Sequence, residues 1–495
     1  MIKIVNLATL ALLLNCICHV SSGQEKLGSF DPGQFYPNDI ALTHYDSYRG
    51  QFHFTYQSGN DITRILLDSS LQPLQSRKLT SKEISYYRRS GSRKFFTYSI
   101  SIKDGTYEIF AEEDTLLVLH SEFGDQPDRT VATIGLNQGS TEEKLLAVFP
   151  LGDKIGFLLS ALKQDKLILI TWSPLNGQAI AEFPLPDSNM DPKQYKEYPK
   201  DTRINFKKQL VNPIVQPMGQ TSIHNRPGPQ LYYSDSAIFI LMHVPFSLGV
   251  FTIQIDLKAN RISTHNYEIN PLLINAGNNN ALIMHPAACM ADSILVIKNI
   301  SVNKFEYLFY NAFTHRLLHK WEAKKDNIDL LVHSPIRQKG TWASAKEEKE
   351  FSSKEAYFKK GNGLIYISGL DKDSITVTSL LVHTTTGITG TLLDALVPLP
   401  LGISSQSGYY LSLLIPPLGS KREKIFYFHS RFALQQFQPA SYGGVRTVMD
   451  RMLDYDKNEK LVEDLCFYVR KKGEFCMGSY SKEDKKIHVI RYREK

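Results

Sequence analysis

The feature that most constrains this fold is a pair of short alternating strands that returns along the chain. Each copy has alternating apolar residues, a polar interruption and a second alternating run, with Asp, Asn, Gly or Ser near most bends. The copies are RILLDSSLQPLQ from Arg64, KLILITWSPLNGQAIAEF from Lys166, VFTIQIDLKANRISTHNYEI from Val250, EYLFYNAFTHRLLHKW from Glu306, SITVTSLLVHTTTGITGTLL from Ser374 and KIFYFHSRFALQQF from Lys424. A period of two bounded by turn residues predicts antiparallel hairpins, each with one buried face.

A further apolar strand usually precedes the pair, as in GQFHFTYQ from Gly50 and KIGFLLSAL from Lys154. The composition agrees, because 25 Tyr and 26 Phe supply flat rings that pack well on a pleated surface. With the weaker copies included, the chain contains about eight similar units. Their irregular spacing requires insertions between them.

Recurrent three- or four-stranded antiparallel units resemble the blades of a β-propeller, in which radial repetition protects nearly all sheet edges. The resemblance covers roughly residues 38 to 495 and concerns the fold, because there is no repeated Trp-Asp pair, no Asp-box and only one Gly-Gly pair, Gly443 and Gly444. We predict an all-β fold, a β-propeller of seven or eight blades, in a single domain over residues 24–495. The two ends of the chain are expected to meet, with KIHVIRY from Lys486 as an ordered strand. Tandem β-sandwich domains are the alternative.

Three segments interrupt the pattern. Residues 187–230 are polar and proline-bearing and are predicted to be a long surface insertion, and residues 343–360 are a second insertion. The second is rich in helix formers and is expected to form a short exposed helix, as are residues 445–465. Insertions on a rigid scaffold are where binding function concentrates.

The first 23 residues are predicted to be a secretory signal peptide. Lys3 precedes an apolar stretch from Ile4 to Cys18 that is too short to span a bilayer, and small residues follow at Ser21, Ser22 and Gly23. The expected location is secreted, periplasmic or at the cell surface. Lipid attachment at Cys16 is the alternative, disfavoured because Asn15 is a poor match for the small residue expected there.

Charge and cysteine content exclude two classes of protein. The formal charge of +7 comes from scattered basic residues without the dense stripe of a nucleic-acid binder. Past the signal only Cys289, Cys466 and Cys476 remain, too few for a disulfide scaffold. Cys289 is expected to be a buried filler. A Cys466–Cys476 disulfide across a tight hairpin stays open, since direct cross-strand pairs rarely meet disulfide geometry.

The candidate metal ligands each have a simpler explanation. Two runs alternate oxygen ligands but lack the glycine and the final acid of a calcium loop, which favours solvated turns; they are Asp187, Asn189, Asp191 and Asp454, Asp456, Asn458. His315 and His319 flank a predicted strand bend, where a spacing of four does not converge on a metal. His285 precedes Pro286 in an apolar run and is expected to be packed or hydrogen-bonded. No metal ligand or cofactor is assigned.

No nucleophile elbow, zinc-protease motif, Walker loop or dinucleotide fingerprint is present. Four scattered acids are candidates for a general acid and base brought together by the fold, although solvent-exposed acids are the default interpretation; they are Asp104, Glu112, Asp235 and Asp292. The sequon Asn299-Ile300-Ser301 is a candidate glycan acceptor.

These observations favour a monomeric, secreted protein that binds a protein or carbohydrate ligand and carries out no chemistry. The alternative is a hydrolase or lyase of extracellular polymers, with its catalytic residues gathered at a central channel. The catalytic residues of such an enzyme cannot be named from the sequence.

Overall fold

The computed structural model describes residues 24–35, 40–58, 61–79, 98–111, 115–120, 129–136, 143–161, 164–185, 210, 213–218, 229–243, 249–268, 286–300, 304–340, 349–350, 364–370, 372–384, 423–441, 466–471, 474–481 and 483–493. Within these residues the protein is all-β, and its strands form seven sheets. The first strand along the chain, β1 (Gln24–Phe30), belongs to the seventh of them.

Sheets 1 to 3 each contain four consecutive antiparallel strands. Sheet 1 contains β2 (Ile40–Asp46), β3 (Gln51–Ser58), β4 (Asp61–Leu67) and β5 (Pro73–Lys78). Sheet 2 contains β6 (Tyr98–Ile102), β7 (Gly105–Ala111), β8 (Thr115–His120) and β9 (Arg129–Gly135). Sheet 3 contains β10 (Glu143–Leu151), β11 (Lys154–Ala161), β12 (Lys166–Ser173) and β13 (Gly177–Pro184).

Sheets 4 to 6 follow the same plan with additions. Sheet 4 contains β14 (Ile214–Pro217), β15 (Gln230–Tyr233), β16 (Ala237–His243), β17 (Gly249–Asp256) and β18 (Arg261–Glu268). Sheet 5 contains β19 (Ala287–Ala291), β20 (Ile294–Ile300), β21 (Lys304–Asn311) and β22 (Leu317–Lys324), and a 3-10 helix (Lys325–Leu330) follows it. Sheet 6 contains β23 (Arg337–Gly340), β24 (Lys349–Glu350), β25 (Leu364–Leu370), β26 (Ser374–Thr384), β27 (Glu423–Ala433) and β28 (Gln438–Pro439).

Sheet 7 joins the two ends of the chain. It contains β29 (Cys466–Lys471), β30 (Glu474–Tyr480) and β31 (Ile487–Arg493), and β1 pairs antiparallel with β31 as its fourth strand. The predicted contact between the ends is therefore present. The N-terminal partner in this contact, β1, lies before residue 38, where the resemblance to propeller blades begins.

Burial changes from the first strand to the last in the sheets whose side chains are described at these strands. All residues of β19, the first strand of sheet 5, are buried, whereas most residues of the fourth strands β5, β13 and β22 are exposed or half-buried. A chain of short antiparallel sheets, each with a buried first strand and an exposed last strand, is the arrangement of propeller blades. The prediction of an all-β propeller of seven or eight blades is confirmed, with seven blade sheets in the described residues.

The chain divides into two compact units. Unit 1 spans residues 1–78 and 446–495 and contains sheets 1 and 7, and unit 2 spans residues 79–445 and contains sheets 2 to 6. In unit 1 one apolar cluster joins the two sheets, with Phe54 of β3 and Val489 of β31 among its members. In unit 2 each sheet shares an apolar cluster with the next. Burial of these faces drives the assembly of each unit.

The turns before the last strand of sheets 1, 3, 4 and 5 share a hydrogen-bonding device. An Asp, Asn or Ser at or next to the end of the preceding strand accepts one or two hydrogen bonds from the backbone N–H groups of the turn; the four residues are Asp68, Ser173, Asp256 and Asn311. Such side chains compete well for turn N–H groups. This is the physical reason for the polar residues seen near most bends in the sequence.

Most of the two predicted insertions lies outside the described residues, as do residues 445–465. The described pieces include two strands: β14, within 187–230, pairs in parallel with β15, and β24, within 343–360, pairs with β23. For Lys349 and Glu350 the expected helix is wrong, because pairing with a neighbouring strand overrides local propensity.

Cys289 is buried in an apolar cluster, as predicted. Cys476 is buried as well, and the side chain of Cys466 lies outside the described residues, so the Cys466–Cys476 disulfide stays open. The β29–β30 register places Cys476 opposite Val469 and Cys466 opposite Ser479, so the two cysteines are not cross-strand partners.

Candidate interaction surface

The acids proposed from sequence occupy equivalent places in the fold. Asp104, Asp235 and Asp292 are exposed, and each lies in the turn between the first two strands of its core sheet, in sheets 2, 4 and 5. Glu112 lies outside the described residues. The common position indicates turn residues of a repeated hairpin, and Asp292 has the left-handed backbone (φ 51°) that Asp tolerates better than most residues.

The candidate metal ligands do not come together where they are described. Both oxygen-ligand runs and His285 lie outside the described residues. His315 lies in the β21–β22 turn, whereas His319 on β22 packs against Trp321 and Phe437, with ring centroids 5.1 and 6.3 Å away. Within the described part of the chain, no group of three or more His, Cys, Asp or Glu side chains is arranged to hold a metal ion.

The most strongly perturbed amine is enclosed in the core of unit 2. Lys298 on β20 is fully buried, and burial lowers its pKa to about 7 although the nearby Cys289 acts in the opposite direction. Burial raises the pKa of the Cys289 thiol, so the thiol is neutral. An amine with a pKa near 7 is chemically suited to proton transfer or nucleophilic attack. With no exposed surface on Lys298 or Cys289, this pair belongs to the packing between sheets 5 and 6.

Sheet 5 presents an exposed apolar group at its outer hairpin. Phe313 in the β21–β22 turn is 39% exposed, and Leu317 and Leu318 at the start of β22 are 45% and 41% exposed. We call these three residues the hairpin patch. Phe313 is held in place by an edge-on contact with Phe239 of sheet 4, whose ring centroid is 5.0 Å away. Exposed apolar side chains that lie together mark protein interaction sites more often than scattered ones do.

Charged side chains follow the hairpin patch along the same two strands. Lys304 Nζ lies 2.8 Å from a Glu306 carboxylate oxygen and 2.6 Å from one of Glu322, and Lys320 Nζ lies 2.9 Å from Glu306. The ammonium of Lys304 helps hold the pKa of the Glu306 carboxyl below its usual range, although burial of Glu306 acts in the opposite direction. Apolar residues beside a polar border are the usual anatomy of a protein interface.

The asparagine of the sequon, Asn299, is hydrogen-bonded to the same network. Asn299 is 4% exposed, and its Nδ2 donates a hydrogen bond of 3.1 Å to Glu306 Oε2. A glycan at Asn299 would replace that hydrogen bond and bring Asn299 out of its buried position, so the folded arrangement of this side chain disfavours the sequon as a glycan acceptor.

A second feature of this hairpin was not visible from sequence. The imidazole of His315 stacks on that of His265 from β18, with ring centroids 4.3 Å apart and planes 5° from parallel. Its Nδ1 is 2.7 Å from the hydroxyl of Tyr267, also on β18. The only signal in the sequence was a histidine where the equivalent turns have Gly177 and Asn260, and its partner came from a different sheet.

Comparison with known proteins assigns the chain to no family. No family model matches the chain, and no curated protein matches it. Solved structures that it is similar to include the Dos1 propeller (7% identity, 95% of this chain and 96% of that chain, TM-score 0.39). The β-propeller domain of Nup133 from Vanderwaltozyma polyspora matches at 12% identity over 58% of this chain and 74% of that chain, with a TM-score of 0.29.

A third similar structure is a mutant of the Synechocystis apocarotenoid oxygenase, at 9% identity over 61% of this chain and 67% of that chain, with a TM-score of 0.29.

The described residues contain no helix that is long and apolar enough to cross a membrane.

Proposed function

We propose that this protein is a secreted, non-enzymatic binding protein that contacts a protein partner through the hairpin patch of sheet 5. The observation that carries the proposal is the exposure of Phe313, Leu317 and Leu318 on one hairpin beside the ion pairs of Glu306. Secretion rests on the signal-like first 23 residues.

Strand pairing fixes the backbone of the hairpin, which favours binding over accidental exposure. Tyr310 ↔ Leu317 and Phe309 ↔ His319 are paired across β21 and β22, so Leu318 is the extra residue of a bulge between them. Bulges re-aim side chains at the edges of sheets. A rigid apolar surface loses little conformational entropy when a partner covers it.

The proposal can be tested with peptide and glycan arrays probed with purified mature protein. Three proteins are compared: the wild type, the double variant Leu317→Asp with Leu318→Asp, and the control Leu175→Asp. Leu175 is 81% exposed in the equivalent turn of sheet 3, so the control adds a charge at a similar exposed place. We expect the wild type and the control to bind the same peptides, and the double variant to lose at least about tenfold in affinity, or about 1.4 kcal/mol.

Equal binding by all three proteins would contradict the assignment of the hairpin patch. Binding only to glycans would indicate a carbohydrate ligand instead of a protein. Turnover of any array component would contradict the non-enzymatic proposal and favour a polymer hydrolase with acids at the first turns of the sheets.

A further inference from the structure

His265 and His315 connect two neighbouring sheets of unit 2. His265 lies on β18, the last strand of sheet 4, and His315 lies in the last turn of sheet 5. Besides the stacked imidazoles, Tyr267 of β18 contacts Tyr310 of β21, with ring centroids 4.7 Å apart. The contact is therefore a small aromatic cluster shared by both sheets.

The backbone of the turn does not call for a histidine. His315 has a left-handed conformation (φ 58°), and it stands four residues after its capping residue Asn311. At the same place after Ser173 and Asp256, the other turns have Gly177 (φ 66°) and Asn260 (φ 48°). Gly and Asn adopt this conformation at lower cost than most residues. His also tolerates this conformation, so the turn accepts His315 as it accepts Asn260, and the contacts of its imidazole are what set it apart from the other two turns.

The pair lies in a setting that favours neutral rings. Partial burial lowers the pKa of His265, and partial burial together with the neighbouring His265 lowers the pKa of His315. The titratable groups in contact are the phenols of Tyr267 and Tyr310, and burial raises both of their pKa values, that of Tyr267 to about 12, so both are neutral.

Charged groups lie at the edge of this cluster. After burial, the Glu306 carboxylate also raises the pKa of Tyr310. Arg316, the residue after His315, is exposed in the turn. Among the described residues no carboxylate contributes to the pKa of either imidazole.

We propose that His265 and His315 form an acid-sensitive latch between sheets 4 and 5. Above the ordinary histidine pKa of about 6.5 both rings are neutral and stacked, and the latch is closed. The two imidazoles bind protons more readily when the latch is open than when it is closed. As the pH falls below about 6.5, the open form therefore becomes more populated, by up to about tenfold for each unit by which the closed latch lowers a histidine pKa. The second proton is opposed by the first, because the stacked rings would both be positive.

The first test is a titration of the imidazoles by NMR in the full mature chain. We expect the His265 and His315 signals to titrate below about 6.5, and the remaining His265 signal to move towards 6.5 in His315→Asn. Asn suits the left-handed backbone of this turn, as Asn260 shows, so the variant removes the imidazole without straining the turn. His319→Asn is the matched control, because it removes a histidine from the same sheet away from the pair.

The second test is amide hydrogen exchange of β18 and the β21–β22 turn at pH 7.5 and 5, corrected for intrinsic exchange rates. We expect local opening to increase at least about tenfold on acidification in the wild type and in His319→Asn, and less than about threefold in His315→Asn. His265→Asn should behave as His315→Asn does, and the double variant should add nothing.

Histidines that titrate at or above 6.5 in the wild type would overturn the latch. So would an acid response that survives in both single variants. Because either single variant tests the pair, failure of one of them to fold leaves the other to decide.

Discussion

Tyr232 is a single side chain that ties two sheets of unit 2 together. Its hydroxyl accepts a hydrogen bond of 2.9 Å from the backbone N–H of Met290 on β19 and donates one to Gln230 Oε1. Gln230 Nε2 in turn donates a hydrogen bond of 3.2 Å to the carbonyl of Ala288. Tyr232 is fully buried, and burial raises its pKa far above the usual value, so the phenol keeps its proton.

We expect Tyr232→Phe to lower the free energy of unfolding by about 1–3 kcal/mol, because the Met290 N–H would remain buried without its acceptor. Urea unfolding followed by fluorescence measures this loss. The control Tyr48→Phe, at a half-exposed residue, should stay within about 0.5 kcal/mol of the wild type. Equal effects in the two variants would show that the Tyr232 hydroxyl has no special role.

Individual strands and turns were largely predictable from sequence, because alternation and turn residues are local signals. The pair from Val250 became β17 and β18, and Asp256 and Asn260 are the turn residues that its pattern indicated. Pairings between distant segments were not readable. The parallel strand β14 carries no pattern of its own, and it exists because β15 offers an edge to it.

The candidate surface was missed for the same reason. Leu317 and Leu318 look like core residues in an alternating run, and only the bulge beside Tyr310 explains why both are exposed. The stacking of His315 on His265 depends on the contact between two sheets, which no local pattern reports.

The first two strands of sheet 1 carry a pair of histidines that should make unit 1 sensitive to acid. His44 and His53 are directly opposed on β2 and β3, with ring centroids 5.9 Å apart. Burial lowers the pKa of His44 to about 4, and burial together with the neighbouring His44 lowers that of His53 to about 3. Asp46 acts in the opposite direction, and Arg64 and Arg49 add to the lowering at His53.

These pKa values fix the sign of the pH dependence. Because both folded-state values lie below the unfolded value of about 6.5, their stabilising contribution is complete above pH 6.5. It is lost as the pH falls towards 4 and then 3, by about 1.4 kcal/mol for each pH unit and each histidine. We expect His53→Gln to flatten the dependence of the unfolding free energy on pH between 6.5 and 4, measured by urea titration. A slope equal to that of the wild type would contradict the assignment.

At the scale of the whole molecule, sheet 7 makes the stability of unit 1 depend on both ends of the chain. β31 lies between β1 and β30, so the N-terminal strand reaches the sheet only through the C-terminal one. The shared cluster draws Phe30 from β1 and Ile487 and Val489 from β31, all buried. Loss of either strand therefore exposes apolar surface on its partner.

We expect deletion of residues 486–495 to lower the melting temperature by at least about 10 °C. Removing buried Ile487, Val489 and Ile490 costs several kcal/mol, and each kcal/mol corresponds to about 2–4 °C in a cooperative unit of about 150 residues, close to the size of unit 1. Deletion of residues 24–30 should have an effect in the same direction, and the double deletion should cost less than the sum, because each strand supports the other. Differential scanning calorimetry measures all three, with deletion of residues 494–495 as the control that leaves β31 whole. If the two deletions added fully, or if the 486–495 deletion left the melting temperature unchanged, β1 and β31 would not stabilise each other in solution.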